Sequence, residues 1–213
     1  MLELATVLVV AGLLFGSVLR GMEMVDQARI RDTAADFNAL SSAHLAYYDR
    51  YKALPGDDPN AARRWASASA REGTGDGVLS GNYNDLPPAN PATMTVDAST
   101  GESLNFWWHL RLAGFLVGPA GGPTAATPPV NAFGGVIGVQ TGGAGLIGLI
   151  ACSSYLPGKI AIGTETLLDD GRPDTGTLRA LRETAPNQSL GAGLPVSAYV
   201  ENAATRYVLC RGL

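Results

Sequence analysis

The sequence predicts an α+β protein in which a long N-terminal α-helix packs on a C-terminal antiparallel β-sheet head. The chain has no proline before Pro55, and apolar residues recur at helical spacing over the second half of that stretch. After Gly118 the sequence changes to short apolar runs separated by glycine and proline, a pattern typical of strands and turns. We predict three parts: residues 1–20, an apolar helical segment, residues 21–54, its amphipathic continuation, and residues 55–213, a globular head.

Residues 1–19 form an apolar segment of membrane-spanning length. They read MLELATVLVVAGLLFGSVL, and Glu3 is their one charged residue. As a helix this segment extends about 28 Å, close to the hydrocarbon thickness of a bilayer. A secretory signal peptide is the main alternative, but the segment lacks a basic N-terminal region and a small-residue cleavage site, and its apolar run is longer than usual. We therefore predict a helix that lies in a membrane.

The helix is predicted to continue past Arg20 as an amphipathic segment of the same element. Its apolar stripe recurs at three- and four-residue steps: Ile30, Ala34, Phe37, Leu40, His44, Tyr47, Tyr48, Tyr51 and Leu54. Leu54-Pro55-Gly56 then ends a helix of about fifty residues and 75–80 Å. Only the second half needs a globular partner, so the first half must lie in lipid or against copies of itself.

Three residues of the apolar segment are candidate assembly residues. A carboxylate within an apolar span is costly, so Glu3 requires a partner and is a functional hypothesis by default. Gly12 and Gly16 have the GxxxG spacing that allows two apolar helices to approach closely. Each signal is weak alone, but their combination with the long amphipathic continuation and the Pro-Gly break is specific.

This N-terminal pattern resembles that of type IV pilins and the related pseudopilins. In that family a prepilin peptidase removes a leader, the new N-terminus is methylated, and a glutamate at the fifth mature position pairs with the terminal amine of a neighbouring subunit. The resemblance identifies Glu3 as that acid, although it is third here: either two mature residues and the leader precede Met1, or Met1 is the start. Looser similarity to a subgroup of large prepilin-like proteins covers residues 54–61, 75–77, 106–110, 113–114 and 169–176.

The resemblance implies the structural subunit of a type IV pilus-like filament. Its precursor would lie in the bacterial inner membrane until assembly machinery extracts it into an extracellular homopolymer, which would serve adhesion or motility. A minor pilin, a tip adhesin or a type II secretion pseudopilin would share the fold. From another class, a membrane-anchored binding protein or enzyme would use the same anchor and act through the head.

The composition argues against two other classes of function. Charged residues make up 16% of the chain, against roughly 25% in an average soluble domain, and the net charge is −4. Such a chain lacks the basic surface that neutralises phosphates, so nucleic acid is not a predicted partner. The two histidines are predicted to be packing residues, and no nucleophile–base set or phosphate-binding loop is evident. We predict a protein that is not an enzyme and has no cofactor.

The head is predicted to contain two helices before its sheet. Residues 60–72 predict a short helix capped by Asn60 or Asp58, and residues 73–101 predict a long surface loop. Residues 102–116 predict an amphipathic helix that ends at Ala113-Gly114. Short runs between turn residues predict the strands: residues 135–140, 146–152, 159–162, 199–200 and 205–210. Gly143, Gly145 and Gly148 match GxGxxG, but the strand-like sequence after them favours hairpin glycines over a dinucleotide site.

Two acidic loops of the head offer oxygen ligands for a hard cation. Asp76, Asn82, Asn84 and Asp85 lie in the first loop, and Asp169, Asp170 and Asp174 in the second. Calcium takes six to eight such oxygens, and some pseudopilins hold it in a loop of the head. Neither loop has EF-hand spacing, and Asp and Asn are common in turns for backbone reasons. We predict no metal, with calcium at the first loop as the alternative.

Cys152 and Cys210 are the only cysteines of the chain. A head outside the membrane would meet an oxidising compartment, where such a pair forms a disulfide. Two buried free thiols are the alternative. Pilins characteristically bridge their C-terminal region, so the resemblance implies a Cys152–Cys210 disulfide.

Overall fold

The computed structural model describes residues 2–87, 101–202 and 204–213, with side chains from residue 5 onward except that of Pro123. The chain begins with α1, a single helix of 50 residues, and the later helices and strands belong to the head. Their bounds are α1 (Leu2–Tyr51), α2 (Ala61–Arg64), a 3₁₀ turn (Ala66–Ala68), α3 (Glu102–Leu112), a 3₁₀ turn (Pro123–Ala126), β1 (Ile137–Gly143), β2 (Leu146–Pro157), α4 (Gly158–Leu168), β3 (Leu178–Glu183) and β4 (Arg206–Gly212).

The four strands form one antiparallel sheet in the order β1-β2-β4-β3. β1 and β2 are joined as a hairpin, and α4 carries the chain from β2 to β3. The last strand, β4, then lies between β2 and β3, so it pairs with both. The predicted fold class is confirmed: a long N-terminal helix packs against an antiparallel sheet.

The second half of α1 is the part of the helix that contributes to the core. Phe37, Leu40 and Tyr47 recur at helical spacing and are buried against the sheet and α3. Near the start of this stripe, Ile30 packs on Gly163 of α4, where an added Cβ would lie 2.3 Å from Ile30 Cδ1. The close approach of α1 and α4 therefore depends on a residue without a side chain.

Several head predictions are wrong in ways that the packing explains. Residues 159–162 form the start of α4 and are not a strand; the short run Lys159-Ile-Ala-Ile suits either structure, but burial at Ala161, Thr164 and Glu165 follows helical spacing. Residues 199–200 form no strand, and β3 was not predicted. The helix near residue 60 is a single turn, and the Asn60 side chain does not cap it. Asp58 accepts the Asn60 N–H through Oδ1 and binds Tyr47 and Arg64 through Oδ2.

The predicted amphipathic helix at residues 102–116 is α3, and it is buried on all sides from Glu102 to Leu110. Its first residue, Glu102, is buried because it holds the preceding loop. The Glu102 carboxylate accepts hydrogen bonds from the backbone N–H groups of Thr74 and Ser80, at 2.8 Å each. That loop is therefore not purely a surface loop: Leu79 and Tyr83 are buried, while residues 88–100 of the predicted loop lie outside the described residues.

Replacing Gly138 of β1 by alanine is expected to destabilise the head by about 1–3 kcal/mol. A Cβ there would lie 1.7 Å from the carbonyl oxygen of Tyr83, a backbone atom that cannot rotate away. Gly212→Ala in β4 is the matched control, since no heavy atom lies within 4 Å of a Cβ at that position. Denaturant unfolding should separate the two variants. Equal stability of both would contradict the docking of the loop on β1.

Candidate functional site

The first half of α1 is an apolar surface that the head does not cover. Leu8 and Phe15 are each 72% exposed, whereas Phe37, two turns beyond the start of the buried stripe, is 1% exposed. Large apolar side chains on this exposed stem surface point in every direction around the helix: Val7, Leu8, Val9, Val10, Leu13, Leu14, Phe15, Val18, Leu19, Met22 and Met24. Such a helix is stable in an apolar surrounding, because water would meet apolar side chains on all of its faces.

The stem leaves the head at a polar collar formed by Asp26, Arg29 and Lys159. Lys159 Nζ of α4 lies 2.9 Å from the Asp26 carboxylate, which raises the pKa of the lysine through their hydrogen bond. The Arg29 guanidinium lies over the ring of Phe133, 5.1 Å from its centroid. Two charged residues of α1 and one of α4 thus lie just before burial begins at Ile30, and they mark the boundary between the apolar and head-bound halves of the helix.

Gly12 and Gly16 lie on an open part of the exposed stem. Apart from the adjacent residues and the helix's own backbone, no heavy atom lies within 4 Å of a Cβ built at either position. Alanine would therefore fit at both positions in the isolated chain. A requirement for glycine there would have to come from another helix that approaches this face.

Glu3 lies in the first turn of α1 by its backbone. Its side chain is outside the described part of the structure, so its partner stays a prediction. Among the described residues, α1 from Ala5 is the one helix long and apolar enough to cross a membrane. By length and composition this segment could be a membrane anchor or a signal sequence.

The loop that contains the first calcium candidates is held by hydrogen bonds within the head. Asp76 Oδ1 accepts the Val78 N–H, and Asp85 Oδ2 accepts the Asn82 N–H. The Asn84 amide donates to the carbonyl of Asn187, 3.0 Å away, and its own oxygen is buried without a partner. Two of the four candidates thus use their carboxylates in turns, as their residue types favour.

Two other sequence interpretations are confirmed by the geometry of the sheet. Gly143 and Gly145 have positive φ angles in the β1–β2 turn, so the GxGxxG match is a hairpin. Cys152 of β2 and Cys210 of β4 are directly opposite each other and form a disulfide, and both are fully buried.

His109 of α3 is a buried residue that connects this helix to the segment following α1. Its Nδ1 accepts the Gly56 N–H at 2.9 Å, and its Nε2–H donates to the Arg71 carbonyl at 2.7 Å. Burial lowers its pKa to about 4, so the ring is neutral at pH 7. Because both nitrogens are engaged in the fold, this histidine offers no free base for chemistry.

We expect the neutrality of His109 to make the head acid-sensitive. Between pH 6.5 and 4 the unfolded chain binds a proton at this histidine and the folded chain does not, so stability falls as the pH falls, by about 3 kcal/mol. Glu165, with a pKa raised to about 7, acts in the opposite direction over pH 4.5–7. His109→Gln keeps a donor and an acceptor but does not titrate. The difference in unfolding free energy between wild type and variant should therefore shrink on acidification, and a constant difference would contradict the assignment.

No protein-family model matches this chain, and no curated protein or solved structure matches it either.

Proposed function

We propose that this protein is the structural subunit of a type IV pilus-like filament, a pilin. The observation that carries the proposal is the division of α1: one unbroken helix has an apolar half exposed on all faces and a second half built into the core of the head. In a soluble protein this large apolar surface would be exposed to water and would promote aggregation. A subunit that moves from a membrane into a helical bundle requires it.

In this mechanism burial in lipid is exchanged for burial between helices. Before assembly, the exposed stem lies in the membrane, and the polar collar at Asp26 and Lys159 lies at its aqueous boundary. During assembly, the stems of successive subunits pack into a filament core, and the heads form its outer wall. Gly12 and Gly16 allow neighbouring helices to approach, because the helix has no side chain at either position.

Glu3 sets the register of the filament in this proposal. A carboxylate carried into an apolar core is costly unless a cation meets it, so a subunit in the wrong register would leave the acid unpaired. Following the family resemblance, that cation is the terminal amine of the neighbouring subunit. The assembly machinery supplies the work of extraction, and the head itself performs no catalysis.

Electron microscopy of sheared surface material, with mass spectrometry of its main protein band, tests the proposal. We expect filaments whose main component is this protein, and the same spectra would give its mature N-terminus and its methylation. A few copies per filament would instead indicate a minor pilin or tip adhesin, and a short periplasmic assembly would indicate a pseudopilin. A protein that stays in the membrane, with no filament, would favour a membrane-anchored enzyme or binding protein.

A further inference from the structure

The C-terminal end of α4 brings three carboxylates together outside the stem. Glu165 lies in the last turn of the helix, and Asp169 and Asp170 follow directly after its end at Leu168. One carboxylate oxygen from each of the three lies within 4.8 Å of the other two, and this is the one such acidic group among the described residues. The sequence groups Asp169 and Asp170 with Asp174 in one acidic loop, and Glu165 joins them only in the fold.

Glu165 gives this cluster a feature that ordinary surface acids lack. The residue is 0% exposed, and its Oε2 accepts a hydrogen bond from the Tyr199 hydroxyl at 2.8 Å. Its Oε1 is also buried but has no hydrogen-bond partner. Burial, together with the negative charges of Asp169 and Asp170, raises the pKa of this carboxyl to about 7. A buried carboxylate oxygen without a partner is costly, so the fold leaves a position for a cation or a proton.

The two aspartates are fixed in place by the loop that follows α4. Asp169 Oδ2 accepts the N–H groups of Thr177 and Leu178, and Asp170 accepts the Arg172 N–H through Oδ1 and the Thr175 hydroxyl through Oδ2. A carboxylate oxygen has more than one acceptor site, so these bonds leave lone pairs available. The loop therefore holds two acids beside Glu165. Besides the Thr175 hydrogen bond, Arg172 and Arg179 lie near enough to lower the pKa of Asp170, but the ion pair that Arg172 makes is with Asp174, outside the cluster.

We propose that Glu165, Asp169 and Asp170 bind a divalent cation, and that this cation is Ca²⁺. Calcium–oxygen distances of about 2.3–2.6 Å allow two ligands of one ion to lie up to about 5 Å apart, which all three oxygens satisfy. The group contains no His or Cys, so zinc is disfavoured. Asp170 is exposed, so water can complete the coordination that a flexible calcium site accepts. This proposal does not depend on the filament function.

Calcium titration of the full-length protein in detergent micelles, after treatment with a chelator, tests this site. We expect calcium at about 100 times its Kd to raise the Tm by roughly 5–10 °C. Glu165→Gln keeps an acceptor for Tyr199 but removes the charge, and Asp170→Asn removes an exposed charge; each should weaken calcium binding at least about tenfold. Asp174→Asn in the same loop and Asp76→Asn in the other acidic loop are the controls and should bind calcium as the wild type does.

Two outcomes would overturn the proposal. The first is a wild-type Tm and binding heat that do not respond to calcium. The second is loss of binding in Asp76→Asn together with normal binding in Glu165→Gln and Asp170→Asn, which would place the ion in the other loop. Since Glu165→Gln removes a buried charge beside two others, its calcium-free Tm should equal or exceed that of the wild type. If this variant does not fold, Asp170→Asn decides the question on its own.

Discussion

Replacing Glu3 by glutamine is expected to abolish surface filaments while leaving full-length protein in the membrane. Glutamine has nearly the same shape but no charge, so it removes the pairing with a neighbouring subunit and preserves the packing of the apolar helix. The effect is expected to be all-or-none because the pairing would repeat at every subunit of the polymer. Shearing, immunoblotting of the membrane and sheared fractions, and electron microscopy would measure it.

Glu23→Gln is the matched control for this experiment. Glu23 is an acid on the same helix, but it is exposed beside the head and lies beyond the apolar segment. Filaments should persist in this variant at wild-type abundance. If filaments also persist unchanged in Glu3→Gln, the assembly role of Glu3 is wrong and a membrane-anchored protein that acts through its head becomes the better proposal.

The long helix could be predicted from the sequence because its evidence is local. Over the second half of α1, the helical spacing of Phe37, Leu40 and Tyr47 identifies the face of the helix that packs into the core of the head. The head gave weaker signals, because a run of four or five residues such as Lys159-Ile-Ala-Ile fits a strand or a buried helix equally well. The contact that places this helix, the close approach of Ile30 to Gly163, joins residues far apart in the sequence and cannot be read from the run itself.

The candidate sites also differ in how far local sequence identifies them. Gly12 and Gly16 could be identified from their spacing, but the structure adds that nothing in the same chain explains them. Glu165 could not be identified as part of an acidic cluster, because its surroundings form only in the folded chain; its hydrogen-bond donor, Tyr199, lies 34 residues later. The one available signal is the four-residue spacing between Glu165 and Asp169 across the end of a helix, and the start of that helix, residues 159–162, is predicted as a strand.

The disulfide carries the largest single stability effect that we expect. Cys152 and Cys210 join the central strands β2 and β4 across a sequence separation of 58 residues, a segment that contains α4 and β3. Closing a loop of that length reduces the entropy of the unfolded chain, which in the loop-closure model stabilises the native state by about 4 kcal/mol. The oxidised protein should therefore be much more stable than the reduced one.

Reduction of the wild type with a thiol is expected to lower the Tm by roughly 8–16 °C, in proportion to that loss of free energy. The double variant Cys152→Ala and Cys210→Ala should show a low Tm that does not respond to the thiol. It should also be slightly less stable than the reduced wild type, because both sulfur atoms are buried and their removal leaves a small cavity. A reduced wild type that keeps its Tm would mean that the β2–β4 hydrogen bonds and the core beneath them hold the two strands together without the covalent bond.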